Sequence, residues 1–206
     1  MSSFVIWWIV FAVAIVALAW FAGKSATGKQ AGILIDSRGR ISLTHVQVVV
    51  WTVLILSAFL AALVASCFDI SKAALSTHLL GLMGIVAGSA VFATGVKAAK
   101  DAPGSEATVA REGTTINFTA ANGQPKTLEI KAKFSQIWLE EEGPLADRTV
   151  NVTKFQNFIF TLAAVAIFVA LAIKAGALPR ELPDYFLGLL GISHAGYVGG
   201  KIPDKK

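Results

Sequence analysis

Charged residues are scarce in this chain of 206 residues. Asp, Glu, Lys and Arg make up 15% of the sequence, whereas they make up about 25% of a soluble domain. Hydrophobic residues make up 55%, and the mean hydropathy is +0.66. So little charge leaves too much apolar surface for a protein surrounded by water, and the composition therefore predicts a protein of the lipid bilayer.

Cysteines and metal-binding motifs are also missing. The single cysteine, Cys67, excludes an intrachain disulfide and a cysteine-rich metal site. The patterns of calcium-binding loops, zinc proteases and serine-hydrolase nucleophile turns do not occur. The stretch AGYVGGKI (195–202) comes close to a phosphate-binding loop, but Ile202 stands where that loop needs Ser or Thr. We therefore expect no cofactor, no metal and no enzymatic activity.

Charge is absent from four long runs of the chain, at 1–23, 41–68, 73–96 and 155–173. As helices with a rise of about 1.5 Å per residue, these runs can cross a hydrocarbon core of roughly 30 Å. A fifth stretch, from Pro183 to Gly200, has one acid, Asp184, followed by sixteen uncharged residues. The sequence predicts an all-α integral membrane protein with five transmembrane helices, at about 4–22, 44–66, 74–96, 155–173 and 184–199. The lack of charge deep in these spans disfavours proton-coupled transporters and voltage sensors.

The basic residues are distributed unevenly between the two ends of the predicted helices. Fifteen of the 18 Lys and Arg residues fall in the 23–43 loop, the 97–154 segment and the C-terminal tail; the other three are Lys72, Lys174 and Arg180. Basic loops stay on the cytoplasmic side of a membrane. We therefore expect the N-terminus outside and the central segment and C-terminus in the cytoplasm. The net charge of +5 then reflects orientation rather than the binding of nucleic acid.

The chain contains two similar halves. The stretch LTHVQVVVWT (43–52) matches VTKFQNFIFT (152–161) at an offset of 109, and LGLMGI (80–85) matches LGLLGI (187–192) at an offset of 107. Both predicted hairpins enter the membrane from the same side, so the repeat is parallel, an arrangement that some transporters also have.

Each copy begins with the pattern Thr-x-x-Gln. In a capping box of this form the Thr oxygen accepts a hydrogen bond from an amide of the first turn, and the Gln side chain reaches back to the cap amide. We therefore expect four residues to cap helices rather than to bind a ligand: Thr44, Gln47, Thr153 and Gln156.

Glycines recur in the second helix of each predicted hairpin. Small residues three or four positions apart let the backbones of membrane helices approach closely. We therefore expect six glycines to lie at helix packing contacts: Gly81, Gly84, Gly88, Gly188, Gly191 and Gly196.

The central segment is more polar and predicts a small β-hairpin. TTINFT (114–119) and TLEIKAKF (127–134) alternate apolar and polar residues, with an Asn-Gly turn signal between them. A lone hairpin is marginally stable, so we expect it to pack on another subunit, on the membrane, or on GILIDSRGRI (32–41), which also has a strand-turn-strand pattern. Phe134, Ile137 and Trp138 form either a short interfacial helix or, as we favour, part of the core of the hairpin.

The last predicted helix carries a polar face of Ser193, His194 and Tyr197. Ser193 and His194 point about 100° apart on a helix, so they do not form a nucleophile–base pair. We expect an interhelical or backbone hydrogen bond for Ser193, and an anchoring role at the inner interface for Tyr197, beside Lys201. His194 lies near the middle of the membrane, where a polar side chain indicates function by default, although we favour a structural role for all three.

Two motifs of the second half follow each other in order, a helix start Q-x-x-x-[WF]-T and a later helix L-P-[DE]…L-L-G-I-S-x-x-x-Y-x-x-x-K. Their positions are Gln156, Phe160, Thr161, Leu182, Pro183, Asp184, Leu189, Leu190, Gly191, Ile192, Ser193, Tyr197 and Lys201. This pair of motifs, over about residues 134–201, resembles a family of mostly uncharacterised bacterial multipass membrane proteins. The first copy departs from the pattern, with Val86 for Ser193 and Ala90 for Tyr197. The resemblance implies a bacterial multipass protein and no particular reaction.

These patterns predict six parts of the chain. They are a first transmembrane helix (1–23), a cytoplasmic loop (24–43), a first transmembrane hairpin (44–97), a cytoplasmic β-hairpin region (98–152), a second transmembrane hairpin (153–201) and a tail (202–206).

We interpret the chain as a non-enzymatic protein of the bacterial inner membrane. Its expected partners are the lipid bilayer and either further copies of itself or other membrane subunits, for which it acts as a scaffold or as part of a larger complex. The β-hairpin then serves as a docking or sensing module. The alternative is a homo-oligomeric ion channel or pore with a polar lining such as Gln47, Thr52, Gln156, Thr161 and Ser193. A membrane enzyme that uses His194 is a third hypothesis, which the lack of an evident partner residue weakens.

Overall fold

The computed structural model describes residues 2–36, 39–71, 73–100, 109–112, 115–119, 125–129, 132–141 and 147–200. Five helices contain most of them: α1 (Ser3–Thr27), α2 (Leu43–Ala65), α3 (Thr77–Lys100), α4 (Val152–Ala175) and α5 (Asp184–Gly199). The first four are long and apolar enough to cross a membrane. The chain thus has the helices of a multipass membrane protein. Helix α5 has 16 residues, and its crossing of the bilayer stays a prediction.

Three short strands lie in the central segment: β1 (Val109–Glu112), β2 (Thr115–Thr119) and β3 (Pro125–Glu129). They pair antiparallel in the order β1-β2-β3. The strand predicted at 127–134 is reproduced only in part: β3 covers Pro125–Glu129, and Phe134–Ile137 forms a 3₁₀ helix. The expected Asn-Gly turn at 122–123 lies outside the described residues.

The helices pack as two hairpins with α1 alongside the first. Helix α2 contacts α1, α3 and α4, and α5 packs against both α3 and α4. The core between them is apolar and aromatic: the rings of Trp8 and Trp51 both meet the ring of Phe168 edge-on, with centroids 6.1 Å apart in each case. Because lipid tails are as apolar as these side chains, close packing rather than the removal of water stabilises such contacts.

Glycine allows two backbone features that position α1 and α4. Each helix ends at a glycine in the left-handed region, Gly28 with φ 69° and Gly176 with φ 59°, a conformation that side chains with a Cβ disfavour. Gly23 lies so close to Ile33 that an added Cβ would collide with the Ile33 backbone nitrogen. The loop after α1 therefore folds back tightly against the helix before the chain enters α2.

Candidate functional site at the charged end of the bundle

Four ionisable side chains meet at the end of the bundle where α2 and α4 begin and α3 ends, which we call the charged end. Lys97 Nζ lies 2.5 Å from Asp36 Oδ2 and 3.4 Å from Glu141 Oε2. Lys154 Nζ lies 2.6 Å from Glu141 Oε1 and donates to the backbone oxygen of Leu139 at 2.9 Å. All four side chains are at most 11% exposed. Two ammonium groups and two carboxylates therefore form a buried row whose charges cancel, as burial of charge requires.

Arg40 ties the loop before α2 to the loop before α4. It is buried, its guanidinium donates to the backbone oxygen of Glu140 at 3.0 Å, and the same nitrogen lies 2.9 Å from Asp147 Oδ1. Its own backbone nitrogen donates to Asp36 Oδ1 at 3.1 Å. The carboxylate of Asp36 thus holds both its loop and the end of α3.

The loops before α2 and α4 share one backbone design. Each starts with a 3₁₀ helix, Gly32–Leu34 in the first and Phe134–Ile137 in the second. A single antiparallel bridge follows in each: Ile35 with Ile41, and Leu139 with Val150. The expected strand-turn-strand of 32–41 is therefore reduced to one bridge. Ile137 is buried with Ile41 in a small cluster, so it packs on the loop before α2.

Backbone hydrogen bonds confirm that the two loops correspond. Asp36 N donates to Arg40 O at 2.9 Å, and Glu140 N donates to Thr149 O at 3.0 Å. The first members of these pairs are 104 residues apart and the second members 109 apart. The five extra residues of the second loop hide this correspondence in the sequence, so the comparison of helix starts missed Asp36 and Glu141. An acid in each loop and a lysine near a helix end were the available signals.

A layer of uncharged polar side chains lies deeper in the bundle, between α2, α4 and α5. The hydroxyls of Thr44 and Tyr197 are 2.9 Å apart. Gln47 Nε2 donates to Asn157 Oδ1 at 2.6 Å and to Thr161 Oγ1 at 2.7 Å. All five side chains are buried. The layer joins the first hairpin to the second where charge gives way to apolar packing.

The predicted capping boxes are wrong. Both helices begin one residue before the Thr, so the caps are Ser42 and Asn151. Only Asn151 makes a side-chain cap bond, which it accepts from Lys154 N at 2.9 Å. Thr44 and Gln47 instead make the tertiary contacts above. Their counterparts differ in environment, since Thr153 is partly buried and Gln156 is exposed.

The predicted polar face of α5 points into the bundle. Ser193, His194 and Tyr197 are all buried, and His194 Nδ1 lies 2.7 Å from Ser89 Oγ on α3. Tyr197 is 2% exposed, so the expected anchor at the membrane interface is wrong: its hydroxyl is held by Thr44 below the surface. Ser193 Oγ and His194 Nε2 have no hydrogen-bond partner among the described residues.

The predicted glycine contacts are largely missing within the chain. An added Cβ would meet nothing within 4 Å at Gly84, Gly88 or Gly188. At the other three positions it would make ordinary contacts, 3.8 Å from Leu187 at Gly81, 4.0 Å from Ile85 at Gly191 and 3.9 Å from Thr153 at Gly196. Larger side chains such as Phe186, Leu190 and Leu82 fill the contacts between these helices, and most of the glycines face outward.

The side chains of Ser89 and His194 form the pair that most resembles a nucleophile and its base. A serine nucleophile also needs donors that stabilise an oxyanion, but the backbone amides around a residue inside a helix already bond to the preceding turn. No cluster of three potential metal ligands occurs in the described part of the chain. The hydrogen bond between Ser89 and His194 joins α3 to α5.

Comparison of the chain with protein-family models, with curated proteins and with solved structures gave no match.

Replacing Lys97 with Met should destabilise the protein strongly, because the carboxylates of Asp36 and Glu141 then lose a buried cation. Breaking a buried pair costs about 3–5 kcal/mol. Denaturant unfolding in mixed micelles measures the change. Lys97→Arg keeps the charge and should lose less, and exposed Lys24→Met should change little. Unfolding of Lys97→Met at the same denaturant concentration as the parent would contradict the role of the charged row.

Replacing Gln47 with Met should lower the free energy of unfolding by about 1–3 kcal/mol, because Asn157 loses a buried hydrogen bond. Gln156→Met is the matched control: it alters the same residue type at the equivalent repeat position, but the side chain is exposed. Equal stability of the two variants in the same micelles would show that the polar layer does not join the two halves.

Proposed function

We propose that the chain is a non-enzymatic subunit of a bacterial inner-membrane assembly, either of several copies of itself or of other membrane proteins. One observation carries this proposal: most of the buried polar side chains of the helices have partners inside the chain, while the outward faces are mainly apolar and bear glycines. Gly84 and Gly88 have open space beside them. A neighbouring helix can approach closely at such positions.

The same proposal includes five spans, with the charged end and the three-stranded sheet in the cytoplasm. Ser2, at the start of α1, lies near Gly176, which ends α4. Helices α2 and α4 start at the charged end, and α5 reaches that end at Tyr197. This arrangement supports five crossings, and the bias of basic residues supports the orientation. The sheet then stands where a cytoplasmic partner can dock.

The channel alternative receives less support. Its expected lining residues do not share a surface: Gln47, Thr161 and Ser193 are buried inside the bundle, whereas Thr52 and Gln156 are exposed. The buried polar layer reaches about 5 Å along α2, from Thr44 to Gln47. Beyond it, the buried residues of α2 are mainly apolar. A polar path across a single chain would have to pass through this apolar region.

Mass measurement of the protein in native lipid tests the assembly. We expect polymer-extracted membrane discs to contain a complex clearly heavier than one chain of 21.7 kDa. Gly84→Leu should reduce the complex to single chains without lowering their thermal stability, because none of the described residues fills that space. Ala166→Leu, on an exposed position of α4, is the control. Discs that hold a single parental chain, with no other protein, would contradict the proposal.

Cysteine labelling tests the orientation. In a Cys67→Ser background, an impermeant thiol reagent applied to intact spheroplasts should label Ser3→Cys and leave Ser105→Cys unlabelled until the membrane is opened. Labelling of Ser105→Cys from outside would reverse the proposed topology.

A further inference from the structure

A polar pocket and an apolar groove adjoin on one side of α2. The pocket encloses about 240 Å³ at the charged end, where Asp36, Ser42, His45 and Lys97 line it. The groove encloses about 590 Å³. Helix α2 forms its floor, and α1 and α3 form its walls.

The two cavities form one cleft. His45 and Thr94 line both of them. On the floor, the groove follows one face of α2 through Val49 to Val53, which lies about 12 Å from His45 along the helix. On the walls, Ile15 of α1 faces the cleft from one side and Ala90 of α3 from the other. The cleft thus runs from a polar mouth into the apolar region of the bundle.

The chemistry of the mouth favours a ligand with no net charge. The carboxylate of Asp36 and the ammonium of Lys97 already neutralise each other at 2.5 Å, so an anion gains no uncompensated cation there. Hydrogen bonding is still available. Among the described residues His45 Nδ1 has no hydrogen-bond partner, the Ser42 hydroxyl makes no cap bond, and the Thr94 hydroxyl, which donates to Ala90 O, can still accept.

We propose that this cleft binds one glycerophospholipid whose head group has no net charge, of the phosphatidylethanolamine type. The head group lies in the polar pocket, where its phosphate oxygens accept and its ammonium donates hydrogen bonds. One acyl chain lies in the groove between α1 and α3. Combined polar and apolar lining of this size is typical of ligand sites. The site lies in the leaflet at the charged end.

Lipid retention measured by native mass spectrometry tests the site. The protein is reconstituted in vesicles of equal parts phosphatidylethanolamine and phosphatidylglycerol. It is then extracted in mild detergent and introduced into the mass spectrometer by electrospray. The parent should retain one phosphatidylethanolamine per chain. Ala90→Trp fills the groove, and His45→Leu removes the unpartnered ring nitrogen; each should lower that occupancy at least fivefold. Leu162→Trp, on the exposed face of α4, should leave occupancy unchanged.

Three results would overturn the proposal. In the first, Ala90→Trp and His45→Leu both retain as much phosphatidylethanolamine as the parent. In the second, Leu162→Trp loses as much of it as they do, and in the third, the parent retains phosphatidylglycerol and phosphatidylethanolamine equally. Val49→Trp replaces Ala90→Trp if the latter does not yield folded protein. The measurement is made per chain, so it gives the same answer for single chains and for assemblies. The lipid site and the proposed assembly can therefore fail separately.

Discussion

An ammonium group buried inside a protein is stable only beside a counter-charge, and Lys97 at the end of α3 meets this constraint through two loops. Asp36 comes from the loop before α2 and Glu141 from the loop before α4. The pairing of one side chain with both loops brings the two hairpins into register. Lys154 completes the row, so removal of any member leaves a charge uncompensated in a medium of low dielectric constant.

The buried side chains of the polar layer below this row also need partners, although they carry no charge. Gln47 can donate to Asn157 and Thr161 only because the loops above hold α2 and α4 at a fixed height relative to each other. Below Trp51 the helices pack through apolar and aromatic side chains, which lipid could also solvate. Directional bonds are concentrated at the charged end, and the opposite part of the bundle adds those from Trp8 Nε1 to Leu54 O and from Leu182 N to His78 Nδ1.

The sequence predicted the four long helices well, because the absence of charge over about 20 residues has one main physical meaning. The contacts that an individual residue makes within a helix were harder to predict. Thr44 matches a capping box, yet the helix starts one residue earlier at Leu43, since tertiary bonds to Tyr197 outweigh a local cap. Gly84 matches a packing motif, but spacing alone does not say which neighbour, inside or outside the chain, fills the space. In the charged row, Lys97 pairs with Asp36, 61 positions away, and with Glu141, which lies in a different loop, and no local pattern indicates such pairs.

The matching starts of α2 and α4 carry different side chains at one position. His45 and Lys154 lie 109 residues apart, but Lys154 pairs with Glu141, whereas the Nδ1 atom of His45 has no hydrogen-bond partner among the described residues. Helix α1 packs mainly beside α2 and supplies a wall of the groove at Ile15. Lys154 thus contributes to the charged row that holds the bundle together. In the proposed lipid site, the imidazole of His45 and the wall supplied by α1 distinguish this side of the bundle from the start of α4, where the lysine is already paired.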